Sequence, residues 1–168
     1  DLCDPQWRAV QITKKGWKVV AEPPVRFLRY PDMKSLAPPL TGKIDRLWPL
    51  IHCDPEDRII IVGFLLNALH PAGPFFGLNL SGSKGSAKST ATRIVRSLID
   101  PNEAFIQSMP RLAEDLALSA QGQRFLEFEN LSKIAEPESD WLCRLSTGDA
   151  CRRRTKFSDS DETTFCAK

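Results

Sequence analysis

The stretch from Gly82 to Ser89 reads Gly-Ser-Lys-Gly-Ser-Ala-Lys-Ser, and it constrains the fold of this chain more than any other feature. A glycine-rich loop that ends in Lys-Ser has the form of the phosphate-binding pattern G-x-x-x-x-G-K-[ST]. Gly82, Lys88 and Ser89 match that pattern, whereas Ala87 stands where the second glycine is usual. We therefore predict a site for the phosphates of ATP or GTP at this loop.

The segments on either side of the loop have the order that such a site needs. Leu78-Asn79-Leu80 reads as a short buried strand, and the residues from Ser86 to Ile99 repeat apolar side chains at helical spacing. In a strand, loop and helix arrangement, backbone N–H groups of the loop and of the first helical turn point at a phosphate, and the helix macrodipole favours its charge. The predicted binding residues are Gly82, Ser83, Lys84, Gly85, Ser86, Ala87, Lys88, Ser89 and Thr90.

Two side chains of this loop have distinct predicted roles. Lys88 is expected to pair with the β and γ phosphates, and Ser89 to offer its hydroxyl to Mg²⁺, a cation that prefers oxygen ligands. Ala87 suits the site if its backbone lies in the right-handed helical region, because only a positive φ demands glycine. The alternative interpretation is a glycine-serine loop that merely caps a helix.

A phosphate site of this kind also needs a carboxylate across the magnesium ion, usually at the end of a neighbouring apolar strand. The segment from Arg124 to Asn130 is the candidate strand. Glu129 is predicted to coordinate the ion or orient a water on it, and Asn130 to position the attacking water or contact the γ phosphate. Glu127 is expected to need a cation partner if the strand is buried on both faces, since an unpaired buried carboxylate is costly. The alternative is an edge strand with two solvated glutamates.

The N-terminal part of the chain predicts a small β appendage. Residues 7–20 alternate as two strands around a glycine-containing turn, and residues 25–30 read as a third strand. The proline-rich residues 31–39 read as a linker. We therefore predict two domains, an appendage with its linker over residues 1–40 and a P-loop ATPase core over residues 41–168.

The core is predicted to be α/β. Helices are expected from Asp54, as the N-cap, to about Leu69, and from Pro110 to Ala120, with a strand at Ala104 to Gln107 between the loop helix and the second of these. The first helix is apolar on nearly every side, so we expect it to be buried between layers. A short helix from Trp141 is expected to end at a glycine. Alternating strands and helices predict a parallel sheet with flanking helices.

Composition limits the partners. A net charge of +2 does not by itself indicate nucleic acid, and the longest apolar run, residues 59–66, is far shorter than the roughly 20 residues of a membrane span. Five cysteines without a C-x-x-C pair favour a reduced setting, so we expect a soluble, cytoplasmic protein without a membrane partner. The basic and aromatic residues of the appendage could contact nucleic acid, although amphipathic strands commonly carry both types. Residues 151–157 are basic, and they predict either contact with a nucleic-acid backbone or a neighbouring subunit's nucleotide, or surface ion pairs with the acidic residues that follow.

Three blocks carry a family resemblance. The run from Leu80 to Pro101 resembles the P-loop segment of bacterial and phage ATP-binding proteins encoded on mobile elements, in which alanine often precedes the lysine. Phe128-Glu-Asn-Leu-Ser132 is similar to their acidic-Asn-Leu-Ser motif, and Leu142 to Gly148, with Arg154-Thr155, is similar to their last shared block. These proteins stand near the superfamily 3 helicases and primase-associated ATPases of the AAA+ class.

The resemblance implies an AAA+/ASCE-like P-loop core that uses ATP with Mg²⁺, acts on single-stranded or forked DNA and can assemble as a homo-oligomeric ring. It assigns Lys88 to the phosphates, Ser89 to magnesium and Asn130 to the family's asparagine, while Glu129 falls where aspartate is usual. Arg154 matches an arginine between the Walker B motif and sensor 1, and we expect the chain to stop before sensor 1. The function so implied is an ATP-hydrolysing module of a phage or mobile-element DNA replication protein in a bacterial cell. The alternative is a nucleotide-dependent assembly or DNA-binding module without efficient hydrolysis.

Overall fold

The structure, a computed structural model, describes residues 1–103, 108–131, 133–148, 150–154 and 162–166, the last two segments and residues 121 and 122 as backbone only. The described strands and helices follow one another along the chain as β1 (Ala9–Thr13), β2 (Gly16–Val20), α1 (Arg58–Ala68), α2 (Lys88–Ile99), α3 (Ala113–Gly122), α4 (Glu136–Thr147), β3 (Ala150–Arg154) and β4 (Glu162–Cys166). Two short 3₁₀ turns precede α1, at Ile44–Leu47 and Pro55–Asp57.

The predicted N-terminal hairpin is confirmed. Strands β1 and β2 pair antiparallel, with Ile12 opposite Trp17 and Val10 opposite Val19. Residues 25–30 form no strand, so the third strand predicted there is wrong. Arg29 anchors this segment through its side chain, because its guanidinium donates to the Asp1 carboxylate at 2.8 and 2.7 Å.

Helix α1 begins after a proline-containing turn and packs on one face only. The backbone N–H of Asp57 donates to the carbonyl of Asp54 at 3.0 Å, but the Asp54 side chain makes no capping hydrogen bond. Ile61 and Leu65 are buried, whereas Ile59 on the opposite side is 73% exposed. The expected burial of α1 on nearly every side is therefore wrong for the part of the chain that the structure describes, which provides no second layer over its outer face.

The hydrophobic core joins α1 and α2 to the segment that follows α3. Leu80, which leads into the glycine loop, packs against this core, and Phe64 meets Phe125 edge to face with ring centroids 5.6 Å apart. The apolar residues before the loop are thereby fixed to the same core as the apolar residues before Glu127. Its buried members are Leu47, Ile51, Ile61, Leu65, Ala91, Val95 and Phe125.

Strand pairing in the described ranges includes the hairpins β1–β2 and β3–β4 and an isolated bridge between Met33 and Asn102. Residues 78–80 form no ladder there, and Phe128 takes part only in an isolated bridge. The predicted strand at residues 104–107 lies outside the described residues. The parallel sheet therefore stays a prediction.

The C-terminal elements differ in part from the sequence prediction. Helix α4 begins at Glu136 rather than at Trp141, because the Glu138 carboxylate accepts a hydrogen bond from the backbone N–H of Ala135 at 2.9 Å and fixes an earlier first turn. It ends, as predicted, at Gly148, whose φ of 78° is left-handed. The antiparallel pairing of β3 with β4 was not predicted from the sequence. No described helix is long and apolar enough to cross a membrane.

Candidate functional site

The glycine loop requires glycine at two places. Gly82 has a φ of +151° and Gly85 a φ of +84°, both in the region that L side chains rarely adopt. A Cβ on Gly82 would also lie 2.9 Å from the Ser86 hydroxyl oxygen, closer than real Cβ atoms come. The loop closes on itself at this point through a hydrogen bond from the backbone N–H of Ser86 to the carbonyl of Ser83 at 3.3 Å.

Ala87 lies in the left-handed region, with φ 60° and ψ 23°. The condition under which Ala87 would suit the site, a right-handed backbone, is therefore not met, and the usual glycine of the pattern would fit this position with less strain. The Ala87 carbonyl accepts the first helical hydrogen bond of α2, from Ala91 at 2.9 Å, so Ala87 is the N-cap residue. Alanine has no side-chain acceptor, and the first turn of α2 accordingly lacks a side-chain cap. Its N–H groups point to the loop with the positive end of the helix dipole.

Lys88 folds back over the loop. Its ammonium donates to the carbonyl oxygens of Gly82 and Ser83 at 2.9 and 2.7 Å and to the Ser86 hydroxyl at 3.3 Å. All three donors of the ammonium therefore have partners within the loop itself. Ser89 and Thr90 follow Lys88 in the first turn of α2 and are exposed. The predicted binding residues Gly82 to Thr90 are thus brought together as one continuous surface at the start of α2.

The segment after α3 is clamped to the ends of both core helices. Asp100, which follows α2, accepts hydrogen bonds from the backbone N–H groups of Arg124 and Phe125 at 2.8 and 3.1 Å. The Arg124 guanidinium donates to the Ala68 carbonyl at 3.1 Å and to the His70 carbonyl, and burial lowers the pKa of Arg124. This clamp was not predicted from the sequence, because it joins residues 24 and 25 positions apart.

Glu127 finds the cation that its burial requires. Its carboxylate lies 3.8 Å from the Arg96 guanidinium on α2, and the two residues are only 6% and 5% exposed. Arg96 also donates to the Gln123 side-chain oxygen at 3.0 Å, while the Oε1 of Glu127 has no hydrogen-bond partner among the described residues. Burial raises the pKa of Glu127, and the charges of Arg96 and Arg93 only partly oppose this. The pair ties α2 to the segment that carries Glu129.

Glu129 and Asn130 lie at the exposed end of that segment. Asn130 has a φ of 58°, which asparagine tolerates better than most residues. Glu129 lies near enough to Glu127 that its charge contributes to the raised pKa of Glu127. In the described ranges, no hydrogen bond or ion pair joins Glu129 or Asn130 to the loop. The structure therefore attaches the predicted carboxylate to the loop's helix through Arg96 without bringing it to the loop.

Two further predicted features are only partly described. Arg154 ends β3, and its backbone lies opposite Glu162 of β4, while its side chain lies outside the described part of the chain. Ser132 and residues 155–161, which belong to two of the resemblance blocks, are also outside it. The described side chains form no group of three or more His, Cys, Asp or Glu residues that could hold a metal ion. A magnesium site of Ser89, Glu129 and phosphate oxygens is not a group of that kind.

Comparison with known proteins gives one family. The family model described as an actinomycete integrative conjugative element replication protein matches residues 44–166. The match contains the loop, both core helices, Glu129 and Arg154, and it leaves the N-terminal hairpin outside. No curated protein and no solved structure matches the chain significantly.

Proposed function

Since this chain belongs to the family of replication proteins of actinomycete integrative conjugative elements, we propose that it binds ATP with Mg²⁺ at Gly82 to Thr90 and hydrolyses the ATP. The prediction of a mobile-element replication protein is confirmed by the family match. The relationship to P-loop ATPases and helicases is part of the proposal. The observation that carries it is the position of the Lys88 ammonium, enclosed by the carbonyl oxygens of a loop that has two positive-φ glycines.

The loop suits a phosphate chain in three respects. The first turn of α2 has no side-chain cap, so its N–H groups are available to an anion. A Cβ on Gly82 would meet the Ser86 hydroxyl, so glycine at this position allows the tight loop that lies before these N–H groups. Lys88 can exchange its neutral carbonyl partners for phosphate oxygens, whose negative charge attracts the ammonium more strongly.

The remaining predicted residues take complementary roles in this proposal. Ser89 would hold the magnesium ion through its hydroxyl, and the ion would neutralise charge on the phosphates. Glu129 orients the attacking water and accepts its proton, and Asn130 positions that water. Because Arg96 lies on α2 and Glu127 two residues before Glu129, their buried ion pair keeps the loop's helix and the carboxylate segment in register.

Oligomerisation and DNA binding belong to the same proposal. Arg154 would reach the nucleotide of a neighbouring copy in a homo-oligomeric ring, where an arginine stabilises the charge of phosphoryl transfer. The consecutive residues Arg152, Arg153 and Arg154 give β3 a high density of positive charge. Single-stranded or forked DNA would be the other partner, because a replication protein works on DNA.

A second function is favoured by the position of Glu129. Its carboxylate is exposed and has no hydrogen bond or ion pair to the described residues of the loop, so nothing holds it for water activation. A nucleotide-dependent assembly or DNA-binding module would need Lys88 and the loop but not Glu129. The two functions therefore differ in whether bound ATP is hydrolysed.

Phosphate release from ATP, measured with and without single-stranded DNA, tests the proposal. We expect Lys88→Ala to lose both ATP binding and turnover, and Glu129→Gln to keep binding while turnover falls by about a hundredfold or more. Lys43→Ala, an exposed lysine outside the loop, is the matched control. Unchanged turnover in Lys88→Ala would refute the proposal. Binding of ATP by the unmodified chain without phosphate release would establish the second function instead.

A further inference from the structure

The N-terminal hairpin presents an apolar face that no described residue covers. In an antiparallel pair, directly opposed residues share a face, so Val10, Ile12, Trp17 and Val19 lie on one side of β1 and β2. Ile12 is 67% exposed and Trp17 52% exposed. A large aromatic ring in the middle of a two-stranded ribbon, with this much of its surface in water, is a ready contact surface.

The same hairpin is positively charged without compensation. Between Asp4 and Glu22 the chain contains no Asp or Glu. Arg8 is paired with Asp4 at 2.6 Å, but the exposed residues Lys14, Lys15 and Lys18 form no ion pair with the described residues. The turn is also held in shape, because the Thr13 hydroxyl accepts from the Lys15 N–H at 3.2 Å and donates to the Gly16 carbonyl at 3.2 Å. The two turn lysines are therefore fixed at the tip of the ribbon.

We propose that this hairpin face binds single-stranded DNA, with a base stacked on Trp17 and backbone phosphates at Lys14 and Lys15. Aromatic rings that alternate with unpaired cations are the recognition elements of single-stranded nucleic acid, whose bases are open to stacking. An apolar protein partner would use Trp17 and Ile12 but would have no use for the two uncompensated lysines at the turn. Duplex DNA would use the lysines but would keep its bases away from Trp17. Trp7 is not the stacking residue, because the Arg29 guanidinium lies over its ring at 3.8 Å.

The segment that follows the hairpin is hydrogen-bonded to the residues after the loop's helix. The Lys34 N–H donates to the Pro101 carbonyl at 2.8 Å, and the Glu103 N–H donates to the Asp32 carbonyl at 2.8 Å. Residues 101–103 directly follow α2, which begins at Lys88. These bonds join residues 32–34 to the C-terminal end of α2, whereas the proposed nucleotide site lies at its N-terminal end. The inference rests on DNA as the partner in the proposed function, but it does not depend on the loop.

Fluorescence anisotropy of a labelled oligo-dT strand, with the full chain and no nucleotide, tests the inference separately from the ATP site. We expect Trp17→Leu to weaken binding by about fivefold or more, because leucine keeps an apolar surface but cannot stack. Trp17→Phe, which keeps a stacking ring, should bind within about threefold of the unmodified chain. Lys14→Gln/Lys15→Gln should reduce the slope of log K against log salt by about 1.4, that is, about 0.7 for each phosphate that the protein no longer neutralises.

Arg26→Gln/Lys43→Gln removes the same charge from exposed positions outside the hairpin and should leave the salt slope nearly unchanged. Circular dichroism melts confirm that each variant remains folded. Any of four results would overturn the inference: no binding of oligo-dT, equal losses in Trp17→Leu and Trp17→Phe, equal salt slopes in the two double variants, or tighter binding of duplex DNA or oligo-rU. If the unmodified chain bound oligo-dT as expected but did not hydrolyse ATP, that result would count against the proposed nucleotide site and not against the hairpin.

Discussion

The N-terminal region and the loop region differ in how their charged side chains are paired. The Asp4 carboxylate accepts hydrogen bonds from the backbone N–H and the Nε of Arg8 at 2.9 and 2.6 Å. Two nitrogens of the Arg29 guanidinium donate to the Asp1 carboxylate. In the loop region, Lys88 contacts only neutral oxygens, and Glu127 is buried with one oxygen unpaired. The first region uses its charges to hold the chain together. The second region leaves the Lys88 ammonium on neutral loop oxygens, without an acidic partner among the described residues, and buries a carboxylate that is only partly paired.

The pKa directions follow the same contrast. Desolvation would raise the pKa of Asp4, but its hydrogen bonds from Arg8 outweigh it and lower the pKa below the ordinary 3.8. For Glu127 desolvation prevails over the opposing charge of Arg96, and the pKa rises above the ordinary 4.5. The contributions of Asp4 and Glu127 to the free energy of unfolding therefore change with pH in opposite directions.

The largest effect is expected from removing the partner of Glu127. Arg96→Met should lower the free energy of unfolding by about 3–5 kcal/mol, because it leaves a buried carboxylate without a cation. The double variant Arg96→Met/Glu127→Leu should recover most of that loss, since no buried charge then remains. Urea denaturation measures both. A single variant as stable as the unmodified chain would show that the pair does not join α2 to the carboxylate segment.

A smaller effect is expected from the N-terminal ion pair. Arg29→Lys keeps the charge but loses the two-nitrogen geometry on Asp1, and should reduce local stability by about 1–3 kcal/mol. Hydrogen exchange of the Leu36 N–H, which bonds to the Leu2 carbonyl at 2.9 Å, reports on this region. The control is Arg26→Gln, at an exposed position nearby. Equal exchange in both variants would mean that the N-terminal region does not depend on its paired charges.

Two substitutions in the backbone of the loop should each change the free energy of unfolding by about 1 kcal/mol, in opposite directions. Gly85→Ala should destabilise the chain by about 1 kcal/mol through its φ of +84° alone, because an added Cβ meets nothing within 4 Å. Ala87→Gly removes a Cβ from a left-handed position and should raise the free energy of unfolding by up to about 1 kcal/mol. Thermal melts of the two variants should shift in opposite directions. A shift in the same direction would show that Ala87 does not carry backbone strain.

The smallest effect is expected in the way the free energy of unfolding varies with pH. Because the pKa of Glu127 is raised on folding, its favourable contribution is fully present below about pH 4.5 and is lost as the pH rises through the higher value in the folded chain. Glu127→Gln should therefore flatten the fall in unfolding free energy over that range. The matched control is Glu22→Gln, at an exposed glutamate of the N-terminal region. If the two variants have the same pH profile, Glu127 is not titrating in a desolvated site.

The local elements of the structure were predictable because their signals are local. Helix α2, the hairpin and the glycine end of α4 each depend on residues within a few positions of one another. The need of Glu127 for a cation was also predictable, from the cost of burying a charge. Its partner Arg96 was not, because that ion pair joins residues 31 positions apart on segments whose packing the sequence pattern does not specify.

Two errors have physical reasons of their own. A motif gives residue types but not dihedral angles, so the left-handed φ of Ala87 could not be read from it. The uniform hydrophobicity of α1 predicted burial on all sides, but hydrophobicity does not supply the layer that would cover Ile59. For Glu129, the residue type and the place in the chain suit the carboxylate role. Its distance from the loop depends on the parallel sheet, which remains a prediction.

Calorimetric titration with ATP, ADP and AMP in the presence of Mg²⁺ tests the nucleotide site most directly. Lys88 and the first turn of α2 are predicted to contact the terminal phosphates, so ATP should bind at least about tenfold more tightly than AMP. Lys88→Ala should remove that preference, while Lys43→Ala should keep it. Equal affinity for ATP and AMP, or an unchanged preference in Lys88→Ala, would contradict the assignment of Gly82 to Thr90 as a phosphate site.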